Sequence, residues 1–183
     1  MAEFYTRKGD DGTTGFLGEG RIDKDDLRME TLGTLDECSA HCGLIRAKTH
    51  SSTDQRMLVQ IQRDLYQVMA ETAADRHNAS KFRVIGEAQV LWLEEQIKRL
   101  SANIKMPSGF ILPGETELSA EVSVTRTVAR RAERRLTTMV KQGLIENDQL
   151  IRYLNRLSSL LFALEISTTQ KQGKTITAAH ENT

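Results

Sequence analysis

Proline, cysteine and aromatic residues are scarce in this sequence. Its 183 residues include two prolines and two cysteines, and aromatic side chains make up 5% of them. Because proline interrupts helices, its scarcity leaves long segments free to be helical. Two cysteines are too few for the disulfide framework of a small secreted domain. Beside plentiful Leu, Ala, Glu, Arg and Gln, the low aromatic content favours an all-helical domain.

The sequence also lacks a net charge, because 25 Lys and Arg residues balance 25 Asp and Glu residues. A protein whose main task is non-specific nucleic-acid binding is strongly basic, so this balance argues against a nucleic-acid partner. No apolar run approaches the roughly 18 residues that span a bilayer, so no membrane partner is expected. The charged first residues, 1–12, have no apolar core and do not resemble a secretory signal. The expected location is therefore the cytoplasm.

Five segments have the apolar periodicity of amphipathic helices. Helices of this length with modest connections predict one domain, a five-helix up-and-down bundle over 27–170. A long Gly-rich segment, 1–26, precedes the bundle, and such a segment is usually functional or disordered. The tail, 171–183, is expected to be disordered. The predicted helices cover about 27–48, 51–76, 84–100, 114–142 and 147–169.

Five arginines fall within eleven residues, 125–135, of the fourth predicted helix. At 100° per residue, this helix has a charged stripe directly beside its apolar stripe. The charged stripe carries Arg126, Arg130, Glu133 and Arg134. Guanidinium groups at a seam between packed elements bind anions, either carboxylates or phosphates. A solvated basic face is the alternative from this helix alone. Arg131 and Arg135 point to the other side of the helix, where solvation is the expectation.

The N-terminal segment contains a Gly-rich loop, residues 9–15, which follows Arg7 and Lys8. Free backbone N–H groups, threonine hydroxyls and nearby cations would suit a phosphate. The loop is neither a Walker A motif, since the required Gly-Lys pair is absent, nor a Rossmann fingerprint, since no strand precedes it. Asp10 suits an anion site only if it orients a cation such as Lys24 or holds a metal through water. A flexible or turn-forming terminus is the alternative.

The first predicted helix has a narrow stripe of small residues with Asp36 in its middle; the small residues are Gly33, Ala40, Gly43 and Ala47. Small residues permit close approach of another helix, so Asp36 is expected to be buried and to need a partner. An arginine of the stripe, Arg126, is the obvious one.

No side-chain nucleophile stands out. Cys38, His41 and Cys42 share one arc of the first helix, but their spacing matches no usual zinc pattern, so buried free cysteines are favoured. Asn155 lies in an apolar stripe of the last helix, where a structural hydrogen bond and a ligand contact are equally open. Without a Ser-His-Asp or Cys-His set, the nucleophile of any reaction is expected to belong to a substrate or cofactor.

Three stretches in order resemble the PduO-type ATP:cob(I)alamin adenosyltransferases. They are YTRKGDDG with the residues up to 37, FILPG followed by RTVARRAERR, and YLNRLS followed by LF. The likeness spans about residues 4–166. The chain departs from the family pattern at 36–40, where it reads DECSA rather than DELNS, and at 113–115, where it reads PGE rather than PGG. These departures affect helix packing and corrin contact rather than the phosphate contacts.

The resemblance implies a homotrimer of five-helix bundles with active sites between subunits. ATP would lie on the N-terminal loop of one subunit and on the arginine helix, with the corrin ring nearby and Mg²⁺ accompanying ATP. A reductase would supply electrons for Co(I), which would attack C5′ of ATP and release triphosphate. A helical protein that binds nucleotide or cobalamin without turnover is the first alternative. A helical anion- or nucleic-acid-binding protein is the second.

The resemblance also implies roles for individual residues. Phe110 would line the cobalamin pocket, Asp36 and Arg126 would form an intersubunit salt bridge, and Glu133 would bind ribose or a metal or orient the arginines. The implied catalytic residues are Asp36, Arg126, Arg130, Glu133 and Arg134. The implied cofactor-binding residues are Thr6, Arg7, Lys8, Gly9, Asp10, Thr14, Lys24, Phe110, Arg130, Arg131, Glu133, Arg134 and Asn155.

Overall fold

The computed structural model describes residues 5–107 and 109–180, which form five α-helices and one small β-hairpin. The predicted five-helix fold is confirmed, whereas the hairpin within the Gly-rich segment was not anticipated. Predictions for residues 1–4 and 181–183 lie outside the described residues. The elements are β1 (Thr13–Thr14), β2 (Ile22–Asp23), α1 (Leu27–Lys48), α2 (Ser52–Ala73), α3 (Glu87–Ser101), α4 (Glu117–Lys141) and α5 (Gln149–Lys171), with a short 3₁₀ turn at Ala79–Phe82.

Side-chain caps fix where the helices begin. Asp26 accepts a hydrogen bond from the backbone N–H of Arg28 at the start of α1, and Ser51 does the same for Asp54 in α2. Such caps satisfy backbone donors that have no partner inside the helix. α3 begins later than predicted because the N–H of Gly86 donates to the side chain of Gln89, 3.0 Å away.

The helices alternate in direction. α1 packs between α2 and α4, and α5 packs between α4 and α3. Leu35, Leu58 and Leu161 are among the fully buried residues that fill the common core. Most of α5 is buried. None of the described helices is both long and apolar enough to cross a membrane.

The tail does not follow the prediction. α5 runs to Lys171, and residues after it pair antiparallel with the apolar loop that precedes α4. The N–H of Leu112 donates to the carbonyl of Thr177 (2.9 Å), and the N–H of Ala179 donates to the carbonyl of Phe110 (2.8 Å). The tail up to residue 180 thus supplies partners to backbone groups of the loop, whereas 181–183 lie outside the described residues.

The N-terminal segment is held against the far end of α2. The N–H of Leu17 donates to the carbonyl of Ala73 (2.9 Å), and the N–H of Asp75 donates back to Leu17 (3.0 Å). The buried guanidinium of Arg28 donates to the carbonyl of Ala74 at 2.6 Å. These contacts place the Gly-rich loop at the end of the bundle where α1 begins and α2 ends.

Cys38 and Cys42 are free and fully buried, as predicted. Their neighbourhood includes the hydroxyl of Tyr153, which donates to a carboxylate oxygen of Asp64 at 3.0 Å. A hydrogen bond with Cys38 raises the pKa of the Cys42 thiol, and burial raises it further. A thiol in this state is a poor nucleophile, so these cysteines are core residues.

Candidate functional site

The five arginines of α4 divide into paired and unpaired groups. Arg131 forms an ion pair with Glu37, and Arg135 forms one with Glu30, so both reach carboxylates of α1. The solvated side expected for Arg131 and Arg135 therefore also carries two partly exposed ion pairs. The helix α1 passes along that side of α4 and places its acidic residues opposite them.

Arg130 and Arg134 make no ion pair with any carboxylate in the part of the chain that the structure describes. Both side chains are exposed, and they lie one helical turn apart. One N–H of Arg134 donates to the carbonyl of Arg130 at 3.2 Å, which keeps the side chain close to the helix. Two guanidinium groups on neighbouring turns, without carboxylates to neutralise them, form a site for an anion that carries several charges.

A chain of hydrogen bonds crosses from α4 through α5 to α3. The amide of Asn155 donates to Glu133 (2.9 Å), while its oxygen accepts from Arg156 (2.9 Å). Arg156 also donates to Glu94 (2.8 Å), which lowers the pKa of that carboxyl. Both the nitrogen and the oxygen of the Asn155 amide therefore have structural partners. Glu133 is held on the α4 face that also carries Arg130 and Arg134.

A cavity of about 520 Å³ opens between the loop before α4 and the helices α4 and α5. The ring of Phe110 is 83% exposed at its edge. On the opposite wall, the ring centre of Phe162 lies 5.7 Å from the guanidinium carbon of Arg126. An aromatic side chain this exposed, but held by backbone pairing to the tail, is expected to be covered by a bound apolar group. The cavity is lined by Gly109, Phe110, Ile111, Arg126, Arg130, Ser158, Ser159 and Phe162.

Another opening, of about 600 Å³, lies at the opposite end of α4 near Lys48. The ammonium group of Lys48 pairs there with Glu117 at 2.5 Å and also with Glu121. Its charged groups thus neutralise one another, and none of the predicted site residues lines it. The cavity beside Phe110 is the better candidate for a functional site.

The Gly-rich loop is ordered by its own side chains. Lys24 donates to the carbonyl of Gly9 (2.6 Å), and Arg21 donates to the carbonyls of Lys8 (2.6 Å) and Thr13 (2.9 Å). The contribution of Arg21 was missed from the sequence; its position after a glycine, facing the carbonyls of a hairpin, was the available signal. Arg7 has a positive φ of 59°, a strained conformation for a residue with a side chain.

Within one chain, the loop and the arginine helix remain apart. No hydrogen bond or ion pair joins residues 5–24 to α4 in the described ranges. The structure therefore does not bring Thr6, Asp10 or Thr14 to Arg130.

Asp36 is exposed in the single chain and pairs with no cation among the described residues, so the expected pair with Arg126 does not form within one chain. Arg126 instead faces Glu165, with 3.6 Å between its Nε and a carboxylate oxygen. Glu165 was missed from the sequence. The available signal was a lone charge in the apolar face of the last helix, one turn beyond Phe162.

Residues that would hold a metal ion are not concentrated anywhere in the described ranges, where no group of three or more His, Cys, Asp or Glu side chains converges. A divalent ion at this site would have to be held mainly by the ligand that it accompanies. Phosphate oxygens commonly provide such coordination for Mg²⁺.

Comparisons with known proteins agree on one family. The family model described as cobalamin adenosyltransferase matches residues 4–168. A corrinoid adenosyltransferase of Citrobacter freundii is 39% identical over 165 residues, which cover 90% of this chain and 93% of that protein. The corrinoid adenosyltransferase PduO of Salmonella typhimurium is 38% identical over 87% of this chain, which spans 48% of that longer protein.

The fold also matches a solved structure. A variant of the PduO-type ATP:corrinoid adenosyltransferase of Lactobacillus reuteri, complexed with cobalamin and ATP, superimposes with a TM-score of 0.91. The two share 27% identity, and the match covers 98% of this chain and all of that one.

Proposed function

Because the chain belongs to the cobalamin adenosyltransferase family and is a transferase that acts on a corrinoid, we propose that it transfers the 5′-deoxyadenosyl group of ATP to the cobalt of cob(I)alamin. One observation carries this proposal. Arg130 and Arg134 present unneutralised guanidinium groups on the α4 face that borders the apolar cavity of Phe110. A polyphosphate and a flat apolar ring system could therefore bind side by side.

The reaction needs no protein nucleophile. The electron pair of Co(I) attacks C5′ of ATP, the cobalt–carbon bond forms, and the C5′–O bond breaks. The departing electron pair leaves with triphosphate, while cobalt is oxidised formally by two electrons to Co(III). Arg130 and Arg134 would stabilise the negative charge that grows on the triphosphate, which is how preorganised cations lower such a barrier.

Glu133 and Asn155 would place the nucleotide beside these arginines. Asn155 fixes one carboxylate oxygen of Glu133, and its amide keeps a second N–H for a ligand. Glu133 would use its remaining oxygen for the ribose, for a metal ion, or to orient Arg130 and Arg134. Mg²⁺ would enter with ATP, bound largely by phosphate oxygens.

The site would be completed between subunits of a homotrimer. No hydrogen bond or ion pair among the described residues joins the loop of one subunit to its own α4, and the loop would serve the arginine helix of a neighbour. The exposed Asp36 of one subunit would then pair with Arg126 of the next. The loop residues proposed to hold ATP are Thr6, Arg7, Lys8, Gly9, Asp10, Thr14 and Lys24, with Arg131 on α4 at the edge of the site.

Phe110 and Phe162 would form the apolar walls around the corrin. Packing of an aromatic ring against one face of the corrin would exclude an axial ligand there, and loss of that ligand makes Co(II) easier to reduce. A separate reductase would deliver the electron that produces Co(I).

The decisive experiment mixes the purified protein with fully reduced cobalamin and Mg-ATP without oxygen. We expect the absorbance of adenosylcobalamin to appear together with one triphosphate for each cobalt–carbon bond. Absence of this absorbance after complete reduction would refute the proposal, and release of pyrophosphate rather than triphosphate would refute the proposed leaving group.

A further inference from the structure

Glu165 is a charged residue near the cavity whose chemistry the proposed reaction does not use. It lies on α5, its side chain is 3% exposed, and its Oε2 lies 3.6 Å from the Nε of Arg126. Neither of these two buried atoms has a hydrogen-bond partner among the described residues. Two buried polar atoms that face one another without a hydrogen bond are costly to keep unless they serve a purpose.

The surroundings of Arg126 show what this carboxylate does. The ring of Phe162 covers one side of the guanidinium, and a terminal nitrogen lies 3.5 Å from the hydroxyl of Ser123. Glu165 is the only carboxylate that pairs with Arg126 in the described chain. Glu115, which lies beside Glu165 under the loop, instead accepts a hydrogen bond from the backbone N–H of Thr177.

We propose that Glu165 is a positioning residue that fixes the Arg126 guanidinium in the wall of the Phe110 cavity and thereby sets how tightly the corrinoid binds. The inference rests on the proposed function, because that function places the corrinoid in this cavity. A free arginine side chain loses considerable rotamer entropy when it is ordered. A carboxylate of the same subunit, fixed within the packed α5, imposes that order before the ligand arrives.

The contact at Nε has a further consequence for geometry. The Nε of Arg126 is the atom that faces Glu165, and a terminal nitrogen lies 3.5 Å from the hydroxyl of Ser123, so other terminal N–H groups remain for further partners. Arg126 can then accept a second carboxylate, and the exposed Asp36 of another subunit is the one that the proposed trimer supplies. Glu165 also offsets the charge of Arg126 beside Phe162, so an apolar ligand packed there does not have to desolvate an unpaired Arg126.

The free-energy cost of burying the Glu165 carboxylate argues against a purely structural role for this residue. Burial raises the pKa of Glu165, although the nearby Arg126 opposes this shift. The folded state thus disfavours the ionised carboxyl, and its replacement by a neutral isostere should not weaken the fold at neutral pH. A residue retained only for stability would behave in the opposite way.

The test uses Glu165→Gln and the apolar Glu165→Leu, with Glu117→Gln as the matched control at the distant end of α4. Equilibrium binding of cob(II)alamin, followed by absorbance in the presence of ATP, should weaken roughly tenfold in both Glu165 variants, as expected for loss of a charged partner. The melting temperature of Glu165→Gln should not fall, and the KM for ATP should stay unchanged. Glu117→Gln should bind the corrinoid like the wild type.

A second readout does not depend on the ligand. The Nε–H resonance of Arg126, assigned by its absence from Arg126→Lys, should move and broaden in Glu165→Gln. Combining Glu165→Gln with Arg126→Lys should weaken corrinoid binding no more than Arg126→Lys alone, because both act through one contact.

The outcomes separate the two proposals. Unchanged corrinoid binding in Glu165→Gln, an unchanged Arg126 resonance, or additive effects in the double variant would overturn the role of Glu165 and leave the proposed transfer intact. If the wild type binds cob(II)alamin but forms no cobalt–carbon bond, the proposed transfer is refuted. Corrinoid binding by the Glu165 variants would still test the role of Glu165. Wild-type protein that binds no corrinoid would refute both.

Discussion

The amide of Asn155 donates a 2.9 Å hydrogen bond to the carboxylate of Glu133, and this bond joins α5 to the arginine face of α4. It keeps the carboxylate on the α5 side of Arg130 and Arg134. Glu133 is therefore held away from a position where it would neutralise the two guanidiniums that are proposed to receive the triphosphate.

Replacement of Asn155 by Ala should release Glu133 toward Arg130 and Arg134. We expect kcat/KM for ATP to fall roughly tenfold, as is typical when a buried hydrogen-bond partner is removed. Steady-state kinetics with saturating cob(I)alamin would measure the change. Asn103→Ala, at the exposed end of α3, is the control, and an equal loss in both variants would contradict this role of Asn155.

Arg130→Ala should lower kcat by about 10²–10³-fold, the usual cost of removing one preorganised group from a developing negative charge. Arg135→Ala is the matched control on the same helix. Its partner is Glu30, so its removal should cost about 0.5 kcal/mol of stability, as for other exposed ion pairs, and leave the rate largely unchanged. Anaerobic turnover and denaturant unfolding of both variants would test the contrast, and full activity of Arg130→Ala would remove its assignment to the phosphates.

Ala179→Pro should loosen the loop that carries Phe110, because proline removes the N–H that donates to the Phe110 carbonyl. The loss of one hydrogen bond predicts roughly fivefold weaker corrinoid binding with little change in the KM for ATP. The neighbouring Ala178→Pro is the control, since its N–H makes no backbone hydrogen bond to the described residues. If both substitutions weaken corrinoid binding equally, the Ala179–Phe110 bond is not what holds the loop.

Asp64 should make the fold sensitive to pH in a defined direction. Burial raises the pKa of this carboxyl, while hydrogen bonds from Gln60 and Tyr153 oppose the shift. A raised pKa in the folded state contributes stability at low pH, below the ordinary carboxyl pKa, and this contribution is lost as pH rises through the folded value.

Asp64→Asn should therefore be at least as stable as the wild type at pH 7, because it removes a desolvated charge and keeps an acceptor for Tyr153. As pH falls toward the ordinary carboxyl pKa, the stability of the wild type should increase relative to that of the variant. Denaturant unfolding from pH 4 to 8 would measure both stabilities. If the stability of Asp64→Asn instead increased relative to that of the wild type as pH falls, the assigned direction of the pKa shift would be wrong.

Local patterns in the sequence predicted the helices well. The bounds of α1 follow from Asp26 and from the periodicity of the segment itself, and the separation of Arg130 and Arg134 from Arg131 follows from helical spacing. What the pattern could not supply was a partner distant in the chain. Glu30 and Glu37 lie about a hundred positions before the arginines with which they pair, so only the packing of α1 on α4 reveals them.

The tail and Glu165 were missed for the same reason. Polar residues after α5 have no periodicity of their own, and their order comes from backbone bonds to Phe110 and Leu112. In the sequence, Glu165 is an isolated charge in an apolar stripe. Only the fold shows that Arg126 lies opposite it.

The pairing of the tail with the Phe110 loop also fixes when the cavity can form during biosynthesis. The chain leaves the ribosome from its N-terminus, so the loop and α4 emerge long before residues 177–179. Until those residues follow, the loop lacks the strand that holds it, although most of the helical core can already assemble. A nascent chain would therefore acquire most of its helical core before its corrinoid-facing wall, and ligand capture would wait until residues 177–179 have emerged.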